Sequence, residues 1–242
     1  MRECELRDLG RIGYEEALQL QQELARLRKE DRIPDQFLLA EHPHVITMGR
    51  NGRAENLLAG EDVLAHSGVR FFETDRGGDV TYHGPGQVVG YPILDLRQWK
   101  RDVVAYVRGI EQVIIDAIAE FGLAGGREQG MTGVWVEGRK IAAIGVHISR
   151  WVTSHGFALN VSTDLSYFRY IVPCGLAKPV TSMEREGAAC GRAEIIEALA
   201  RHFGRVFEYD VRRANQPAAG VGGCESPPWP DGSTTKFLET MQ

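Results

Sequence analysis

The sequence predicts an α+β fold, in which several β-strands pack against a few long helices. Three segments carry apolar residues at every third or fourth position, which is the period of an amphipathic helix: residues 13–30, 102–121 and 192–207. Short apolar runs typical of strands lie between them. Because the two kinds of segment do not alternate strictly, we expect strands with helices grouped around them.

The composition is that of an ordinary globular protein, with 43% hydrophobic and 25% charged residues. A length of 242 residues favours one large domain over two small ones. The net charge of −5 argues against general nucleic-acid affinity. No apolar run reaches the roughly 18 residues of a membrane span, and the amino terminus lacks the apolar core of a signal peptide. The four cysteines are scattered without a Cys-x-x-Cys pair, so we expect a reducing, cytoplasmic location.

The first predicted helix, over residues 13–30, places Leu20 and Leu24 on one face. A run of short strands follows it. Pro92 falls within the last of these strands, and proline predicts a bend or a sheet edge there because it has no backbone N–H. The predicted strands cover residues 37–41, 45–48, 69–74 and 88–96.

The second predicted helix, over residues 102–121, has Asp102 as its N-cap and Gly122 at its end. Glu137-Gly138 is typical of a hairpin turn between strands at residues 134–136 and 140–148. A further strand is predicted over residues 155–161, and a last helix over residues 192–207.

The chain is expected to form one domain over residues 1–214. From about residue 215, four prolines, four glycines and little apolar content predict a loose tail over residues 215–242.

The segment over residues 76–87 is the least expected part of the sequence. It contains four glycines and one proline within twelve residues, and it carries the donors Arg76, Thr81, His83 and Gln87. Dense glycine favours close approach of the backbone to a ligand, so we interpret the segment as one wall of a pocket. It has neither a Walker phosphate loop nor a dinucleotide-binding fingerprint.

Cys174 lies between Pro173 and Gly175, and we interpret it as a candidate nucleophile. A thiol attacks as thiolate, so it needs a cation or a base close by. The sequence leaves several candidates for that partner open: His83, His147, His155, Lys140 and Lys178.

Simpler interpretations also exist for these residues. A lone cysteine is most often a small buried hydrophobe, and a lysine at the start of a strand is usually solvated. His42 and His44 are interpreted as loop residues, since a metal site would need a third ligand. Cys4, Cys190 and Cys224 have no motif around them.

Four ordered motifs resemble the octanoyltransferases of lipoate biosynthesis. The first is Arg-Gly-Gly-x-x-Thr-x-His-Gly-Pro-Gly-Gln at residues 76–87. The others are Arg-Lys-Ile-Ala-Ala-Ile-Gly at 139–145, Thr-x-His-Gly-Phe-Ala-Leu-Asn-Val at 153–161 and Phe-x-x-Ile-Val-Pro-Cys-Gly at 168–175. The resemblance covers roughly residues 35–190.

This resemblance implies a fold like that of biotin and lipoate protein ligases, with a mixed sheet and packed helices. It implies octanoyl transfer from acyl carrier protein to a lysine of lipoyl domains, those of 2-oxoacid dehydrogenases and of the glycine-cleavage H protein. The acyl group would be carried by Cys174 as a thioester, and Lys140 would lower the thiol pKa and move protons. A monomer is expected, with no metal, no organic cofactor, no nucleic acid and no membrane. The implied substrate-binding residues are Arg76, Gly77, Gly78, Asp79, Val80, Thr81, Tyr82, His83, Ala143, Ile144, Gly145, Gly156, Phe157 and Ala158.

Two other functions stay open. A ligase of the same fold would activate a free acid with ATP and would need no cysteine. A non-catalytic module would bind acyl carrier or lipoyl domains without chemistry. Because the chain is itself acidic, an acidic carrier would need a local basic patch. Arg150 and Lys178 are expected at the rim of the tunnel and Arg76 within the pocket. The full set of candidates for the patch is Arg76, Arg139, Arg150, Arg169 and Lys178.

Overall fold

The computed structural model describes residues 2–172 and 178–214. Within this part, ten strands and four α-helices are joined by short turns, with 3-10 turns at Ala54–Asn56 and Leu165–Tyr170. The strands are β1 (Arg2–Arg11), β2 (Asp35–Glu41), β3 (Val45–Met48), β4 (Arg70–Glu73), β5 (Val80–His83), β6 (Gln87–Ile93), β7 (Val134–Val136), β8 (Arg139–Ser149), β9 (Val152–Asn160) and β10 (Tyr209–Arg213). The helices are α1 (Tyr14–Lys29), α2 (Glu61–His66), α3 (Val103–Ala119) and α4 (Arg192–Phe207).

Seven of the strands form one mixed sheet in the order β10-β1-β2-β6-β9-β8-β7. β1 is parallel to both of its neighbours, and the remaining pairs are antiparallel. A smaller sheet has the order β4-β3-β5, with β3 parallel to β4 and antiparallel to β5. The sequence between β5 and β6 therefore connects the two sheets.

Helices cover both faces of the large sheet. α3 and α4 pack against each other and enclose the main apolar cluster, which includes Phe37, Ile114 and Phe203. α1 packs on β6 and β9 through a second cluster that includes Ala17 and Leu24. In the described part of the chain, no helix is long and apolar enough to cross a membrane.

The three long helices predicted from the sequence are confirmed. α3 begins after Asp102, whose side chain accepts a hydrogen bond from the backbone N–H of Ala105 at 2.9 Å. Gly122, with φ of +81°, follows the end of that helix. The predicted hairpin is also confirmed: Glu137 and Gly138 both have positive φ, which matches the twist of the flanking strands.

The sequence predicted a bend or an edge at Pro92, and the edge is contradicted because β6 lies between β2 and β9 in the middle of the sheet. Pro92 pairs with Phe37 of β2 on one side. On the other side, the ladder to β9 ends at Gly90 and pairing resumes with a bridge from Asp95 to Val152. Proline is tolerated because it sits where the ladder to β9 is interrupted.

Candidate active site

The glycine-rich segment is a turn, a strand and a second turn. Residues 76–79 form the first turn, β5 follows, and Gly84–Gly86 lead into β6. The sequence predicted no strand within this segment, so β5 was missed. Within β5 the side chains alternate: Val80 and Tyr82 belong to the apolar cluster of the small sheet, while Thr81 and His83 are turned to the other side.

Most glycines of the site are required by contacts of the chain with itself. A side chain at Gly84 would overlap the Tyr82 hydroxyl, and one at Gly86 would lie 2.7 Å from the Ser162 backbone. A side chain at Gly145 would lie 2.7 Å from the carbonyl oxygen of Gly77. These glycines therefore bring backbone segments together, and they shape a cavity without needing a ligand to explain them.

A cavity opens between this segment, α1 and the middle of β6, β8 and β9. Its lining residues are Tyr14, Arg76, Gly78, Asp79, Val80, Thr81, His83, Tyr91, Ala143, Ile144, Gly145, His155, Gly156, Phe157 and Ala158. All of the predicted substrate-binding residues except Gly77 and Tyr82 line this cavity. The sequence did not indicate Tyr14 or Tyr91, because no motif marks them.

Gly77 and Tyr82 lie behind the cavity wall. The backbone N–H of Gly77 donates to the carbonyl of Val146 at 2.9 Å. The Tyr82 ring is fully buried and stacks on Tyr167 at 5.2 Å between centroids, with its hydroxyl 2.8 Å from Nδ1 of His44. Burial raises the pKa of Tyr82, so its hydroxyl stays protonated near pH 7.

Arg76 is buried and joins the cavity wall to the small sheet. Its Nε and Nη2 donate to the Thr47 hydroxyl at 3.1 and 2.9 Å, and Nη2 also donates to the Thr47 carbonyl at 2.6 Å. Nη1 donates to the carbonyl of Gly77 at 3.1 Å. The guanidinium therefore orders the turn that carries the other lining residues.

Asp79 connects the same turn to the segment that precedes Cys174. Its carboxylate accepts hydrogen bonds from the backbone N–H groups of Arg53 at 3.1 Å and Val80 at 2.7 Å, and from the side-chain amide of Asn56. The carbonyl of Asn56 accepts the backbone N–H of Val172 at 2.8 Å. One wall of the cavity thus holds the last described residue before position 173.

Three histidines line or underlie the polar part of the cavity. His42 is held between the Ile12 carbonyl at 2.9 Å and the Tyr91 hydroxyl at 2.6 Å. His155 has a positive φ of 55°, and its Nε2 is 2.7 Å from Asp75. Burial lowers the pKa of both rings, and in His155 the Asp75 carboxylate only partly offsets this. Both are therefore neutral near pH 7.

His83 is the third of these histidines, and it is connected to Lys140 through buried polar groups. Its Nδ1 is 2.8 Å from Oε1 of Gln87, and Nε2 of Gln87 is 2.9 Å from Oδ1 of Asn160. The Asn160 amide donates to the Thr181 carbonyl at 2.9 Å, and the Thr181 N–H donates to the Lys140 carbonyl at 2.9 Å. Burial, with a smaller effect from His42, lowers the pKa of His83 to about 3.

Lys140 lies near the start of β8 and is largely buried, with 8% of its surface exposed. Its backbone N–H donates to the Pro179 carbonyl at 2.9 Å, so the strand pairs with the segment that resumes after position 177. Its ammonium is 5.0 Å from the centroid of the Trp135 ring. The ammonium of Lys178 is 5.1 Å from the same centroid and 3.4 Å from Glu128.

Cys174 lies outside the described residues, as do Pro173, Gly175 and Cys224. Of the cysteines within them, Cys4 is buried and burial raises its thiol pKa well above the usual value. Burial also raises the pKa of Cys190, with the Glu194 carboxylate adding to the effect. Neither environment favours a thiolate, as the lack of a motif around these two residues predicted.

The other basic residues that the sequence indicated lie at different positions relative to Lys140. His147 is on β8, with its Nε2 3.5 Å from the Asp75 carboxylate. Arg150 occupies the turn after β8, ten positions beyond Lys140, which corresponds to about 30 Å along a strand. Arg150 and Lys178 therefore lie towards opposite ends of β8.

Comparison with known proteins gives the family. The model of the lipoyl protein ligase A/B catalytic domain matches residues 13–204. An octanoyltransferase of Solibacter usitatus is 64% identical over 211 residues, which are 87% of this chain and 96% of the relative. One of Acidobacterium capsulatum is 50% identical, covering 86% of this chain and 92% of the relative.

Solved structures share the fold at low identity. A putative lipoate protein ligase of Thermoplasma acidophilum with bound lipoic acid has a TM-score of 0.72 at 16% identity, over 88% of this chain and 89% of that one. A lipoate-protein ligase A bound with ATP has a TM-score of 0.73 at 17% identity, over 88% of both chains. The predicted α+β fold class is confirmed. The chain belongs to the octanoyltransferases of lipoate biosynthesis, acyltransferases with a lipoyl protein ligase A/B catalytic domain.

Proposed function

We propose that this chain takes its octanoyl group from octanoyl-acyl carrier protein and passes it to a lysine of lipoyl domains through a thioester on Cys174. The acceptors are the lipoyl domains of 2-oxoacid dehydrogenases and of the glycine-cleavage H protein. The observation that carries the proposal is the double hydrogen bonding of Lys140 to the segment that follows Cys174: the Lys140 N–H to Pro179 and the Thr181 N–H to Lys140.

The other end of the cysteine segment supports the same assignment. Val172 is bonded to Asn56, and Asn56 is bonded to Asp79 in the cavity wall. Residues 173–177, which include Cys174, therefore lie in sequence between Val172, which contacts the cavity wall through Asn56, and the segment bonded to Lys140. This arrangement favours a thiol that has both an acyl-binding cavity and a basic group within its reach.

The apolar side of the cavity suits an acyl chain. Ala143 pairs with Ala158 across β8 and β9, and Gly145 and Gly156, two positions further along, lie on the same face of the sheet. At about 0.8 kcal/mol per buried methylene, an octanoyl chain gains on the order of 5 kcal/mol from such a surface. We therefore propose that these residues hold the octanoyl chain, while the turn at residues 76–79 covers it.

The reaction then proceeds in two exchanges. In the first, the Cys174 thiolate attacks the donor thioester, a new C–S bond forms, and the carrier leaves as a thiol. In the second, the lysine amine of the lipoyl domain attacks, a C–N bond forms, and the C–S bond to Cys174 breaks. Lys140 gives its proton to the leaving carrier thiol and later takes the proton of the attacking amine.

The donor would dock near Lys178, because that cation lies beside Lys140 on the ring of Trp135. Arg139 makes ion pairs with Glu186 at 2.7 Å and Glu137 at 2.8 Å, whereas the contact of Lys178 with Glu128 is longer, at 3.4 Å. Arg150 lies too far along β8 to belong to the same rim. We therefore propose that Lys178 is the nearest cation for an acidic carrier. We further propose that the protein acts as a monomer in the cytoplasm.

We also propose that residues 1–214 act as one catalytic domain. β10 pairs with β1, and the N–H of Ala214 donates to the Leu6 carbonyl at 2.9 Å, so the last described residues belong to the large sheet. The predicted tail at 215–242 lies outside the described residues.

The deciding experiment is intact-mass spectrometry after incubation with octanoyl-acyl carrier protein, without ATP. The proposal expects one added octanoyl group that hydroxylamine removes, followed by transfer to a lipoyl domain. An absolute requirement for ATP and free octanoate would instead indicate the ligase reaction. Tight binding of either partner with no adduct and no transfer would indicate a non-catalytic module.

A further inference from the structure

Hydrogen-bond partners fix the orientation of two buried side-chain amides next to His83. The Asn160 amide faces the Thr181 carbonyl at 2.9 Å, and a carbonyl can only accept, so the atom facing it is Nδ2. Oδ1 of Asn160 then faces Gln87, which must present Nε2 to it. The same Nε2 lies 3.2 Å from the Tyr82 carbonyl, which requires the same orientation independently.

This orientation decides which nitrogen of His83 carries the proton. Oε1 of Gln87 has no hydrogen, so Nδ1 of His83 donates to it across 2.8 Å. Burial keeps the ring neutral by lowering its pKa to about 3. The neutral ring with a proton on Nδ1 has a lone pair on Nε2, and it acts there as a hydrogen-bond acceptor.

The lone pair on Nε2 is available to a ligand. The His83 ring lines the cavity, and the hydrogen bonds of the described residues engage only its Nδ1. Two of the donors near it are used elsewhere: Arg76 donates to Thr47 and Gly77, and the Tyr91 hydroxyl donates to His42. The polar wall beside His83 therefore offers an acceptor, and it fits a ligand group with an N–H or O–H.

We propose that Nε2 of His83 accepts a hydrogen bond from the lysine amine that attacks the acyl thioester, and so orients this nucleophile without taking its proton. This inference rests on the proposed function. The relay of hydrogen bonds through Gln87 and Asn160 ends on Thr181, whose N–H donates to the Lys140 carbonyl, so it connects His83 to the strand that carries the proposed base.

A neutral acceptor suits an attacking amine better than a carboxylate would. A buried carboxylate would stabilise the ammonium form, which has no lone pair for attack. A neutral imidazole binds the amine without that preference. As the C–N bond forms and the C–S bond breaks, the electron pair passes to the Cys174 sulfur and the amine proton passes to Lys140. His83 keeps its hydrogen bond throughout.

Two substitutions of His83 separate this role from a structural one. The amide of His83→Asn reaches the position of Nδ1 and keeps the contact with Gln87, but it leaves nothing at the position of Nε2. His83→Gln reaches the position of Nε2 with an acceptor oxygen. We expect His83→Asn to slow transfer from preformed octanoyl-enzyme to a lipoyl domain by about tenfold to one hundredfold, the range for one lost hydrogen bond. His83→Gln should recover much of that rate.

The N–H group that His83 binds comes either from the attacking lysine amine or from an amide in the arm of acyl carrier protein that bears the thioester. The first half-reaction, in which Cys174 is acylated, distinguishes between these two sources. With a small octanoyl thioester as donor, His83→Asn should slow acylation much less than it slows transfer, because no amine takes part in acylation. Slow acylation by octanoyl-acyl carrier protein with normal transfer to the lipoyl domain would assign His83 to the carrier arm and overturn the inference. Equal transfer rates in all three proteins would also overturn it.

The proton position can be measured without any turnover. Long-range ¹H–¹⁵N correlation spectra of the full chain should show His83 protonated on Nδ1 and still neutral at pH 5. A proton on Nε2, or a charged ring at that pH, would contradict the inference. If the wild-type protein forms no octanoyl-enzyme, the proposed function is wrong, and so is the proposal that His83 orients the attacking amine. The spectrum would still report which nitrogen of His83 carries the proton.

Discussion

The ammonium of Lys140 lies over the ring of Trp135, 5.0 Å from its centroid. An aromatic face attracts a cation, and Trp135 is buried, so it holds the lysine side chain in a defined position. Lys178 approaches the same ring to 5.1 Å, which brings two cations to one indole.

Trp135→Leu should therefore reduce octanoyl transfer, because the Lys140 side chain loses the ring that positions it. We expect a loss of about fivefold to thirtyfold, in line with a cation–π contact of roughly 1–2 kcal/mol. Trp135→Tyr keeps an aromatic face and is the matched control. Equal rates for the Leu and Tyr variants would show that the ring contact has no role in turnover.

Cys174 should be the site of acylation. Cys174→Ala should show no octanoyl adduct after incubation with octanoyl-acyl carrier protein, because the thioester has no sulfur to form on. Cys4→Ala and Cys190→Ala are the controls, and both should acylate normally since their environments disfavour thiolates. Intact-mass spectrometry checks all three, and a fully active Cys174→Ala protein would refute the mechanism.

Lys140 should favour the thiolate of Cys174. Alkylation at neutral pH should slow in Lys140→Ala, because the cation that stabilises the thiolate is gone. Lys140→Arg should keep rapid alkylation yet lose transfer, since a guanidinium does not give up its proton. The rate of alkylation as a function of pH measures the effect, and identical profiles for wild type and Lys140→Ala would contradict the pairing.

Ala143 should limit the length of the bound acyl chain. Ala143→Leu fills the space opposite Ala158, so the variant should lose octanoyl transfer while keeping transfer of shorter chains. Each methylene that is no longer buried costs about fourfold in rate, from roughly 0.8 kcal/mol. Competition between acyl thioesters of two to eight carbons measures the preference. An unchanged preference would place the chain elsewhere.

Acid should destabilise the fold through His83. The ring titrates near pH 6.5 when unfolded and near 3 when folded, so between these values only the unfolded state takes up its proton. The free energy of unfolding should fall by about 1.4 kcal/mol per pH unit below 6.5, and His42 and His155 add to it in the same direction.

His83→Gln removes one titrating group and should show a shallower dependence in urea unfolding between pH 7 and pH 5. The free energy of unfolding of wild type, measured relative to that of the variant, should fall from pH 7 to pH 5. Parallel curves for the two proteins would mean that the ring is not held neutral by the fold.

The sequence predicted the long helices and the β7–β8 hairpin because their signals are local. It missed β1 and β10 because they are short of apolar residues: in β1, only Cys4 and Leu6 are fully buried hydrophobics. Their stability comes from pairing between chain ends, where Arg2 pairs with Tyr209. No local pattern can report such a contact.

For the site, the motifs indicated most of the residues that line the cavity but not what each of them does there. The glycines were interpreted as a surface for a ligand, whereas Gly84 and Gly145 mainly avoid contacts within the chain. Tyr14 enters the cavity from the start of α1, far from any motif. The orientation of Gln87 and Asn160 depends on the Thr181 carbonyl, which only the folded structure brings to them.

Two backbone hydrogen bonds flank residues 173–177, the segment that contains Cys174, and they connect it to different sheets. Val172 is bonded to Asn56, beside the small sheet, and Pro179 is bonded to Lys140 in the large one. Helices and hairpins form early in folding because their contacts are local, whereas these contacts join distant parts of the chain. During refolding, acylation should therefore return only after the two sheets have docked, which makes octanoyl uptake a sensor of completed tertiary assembly.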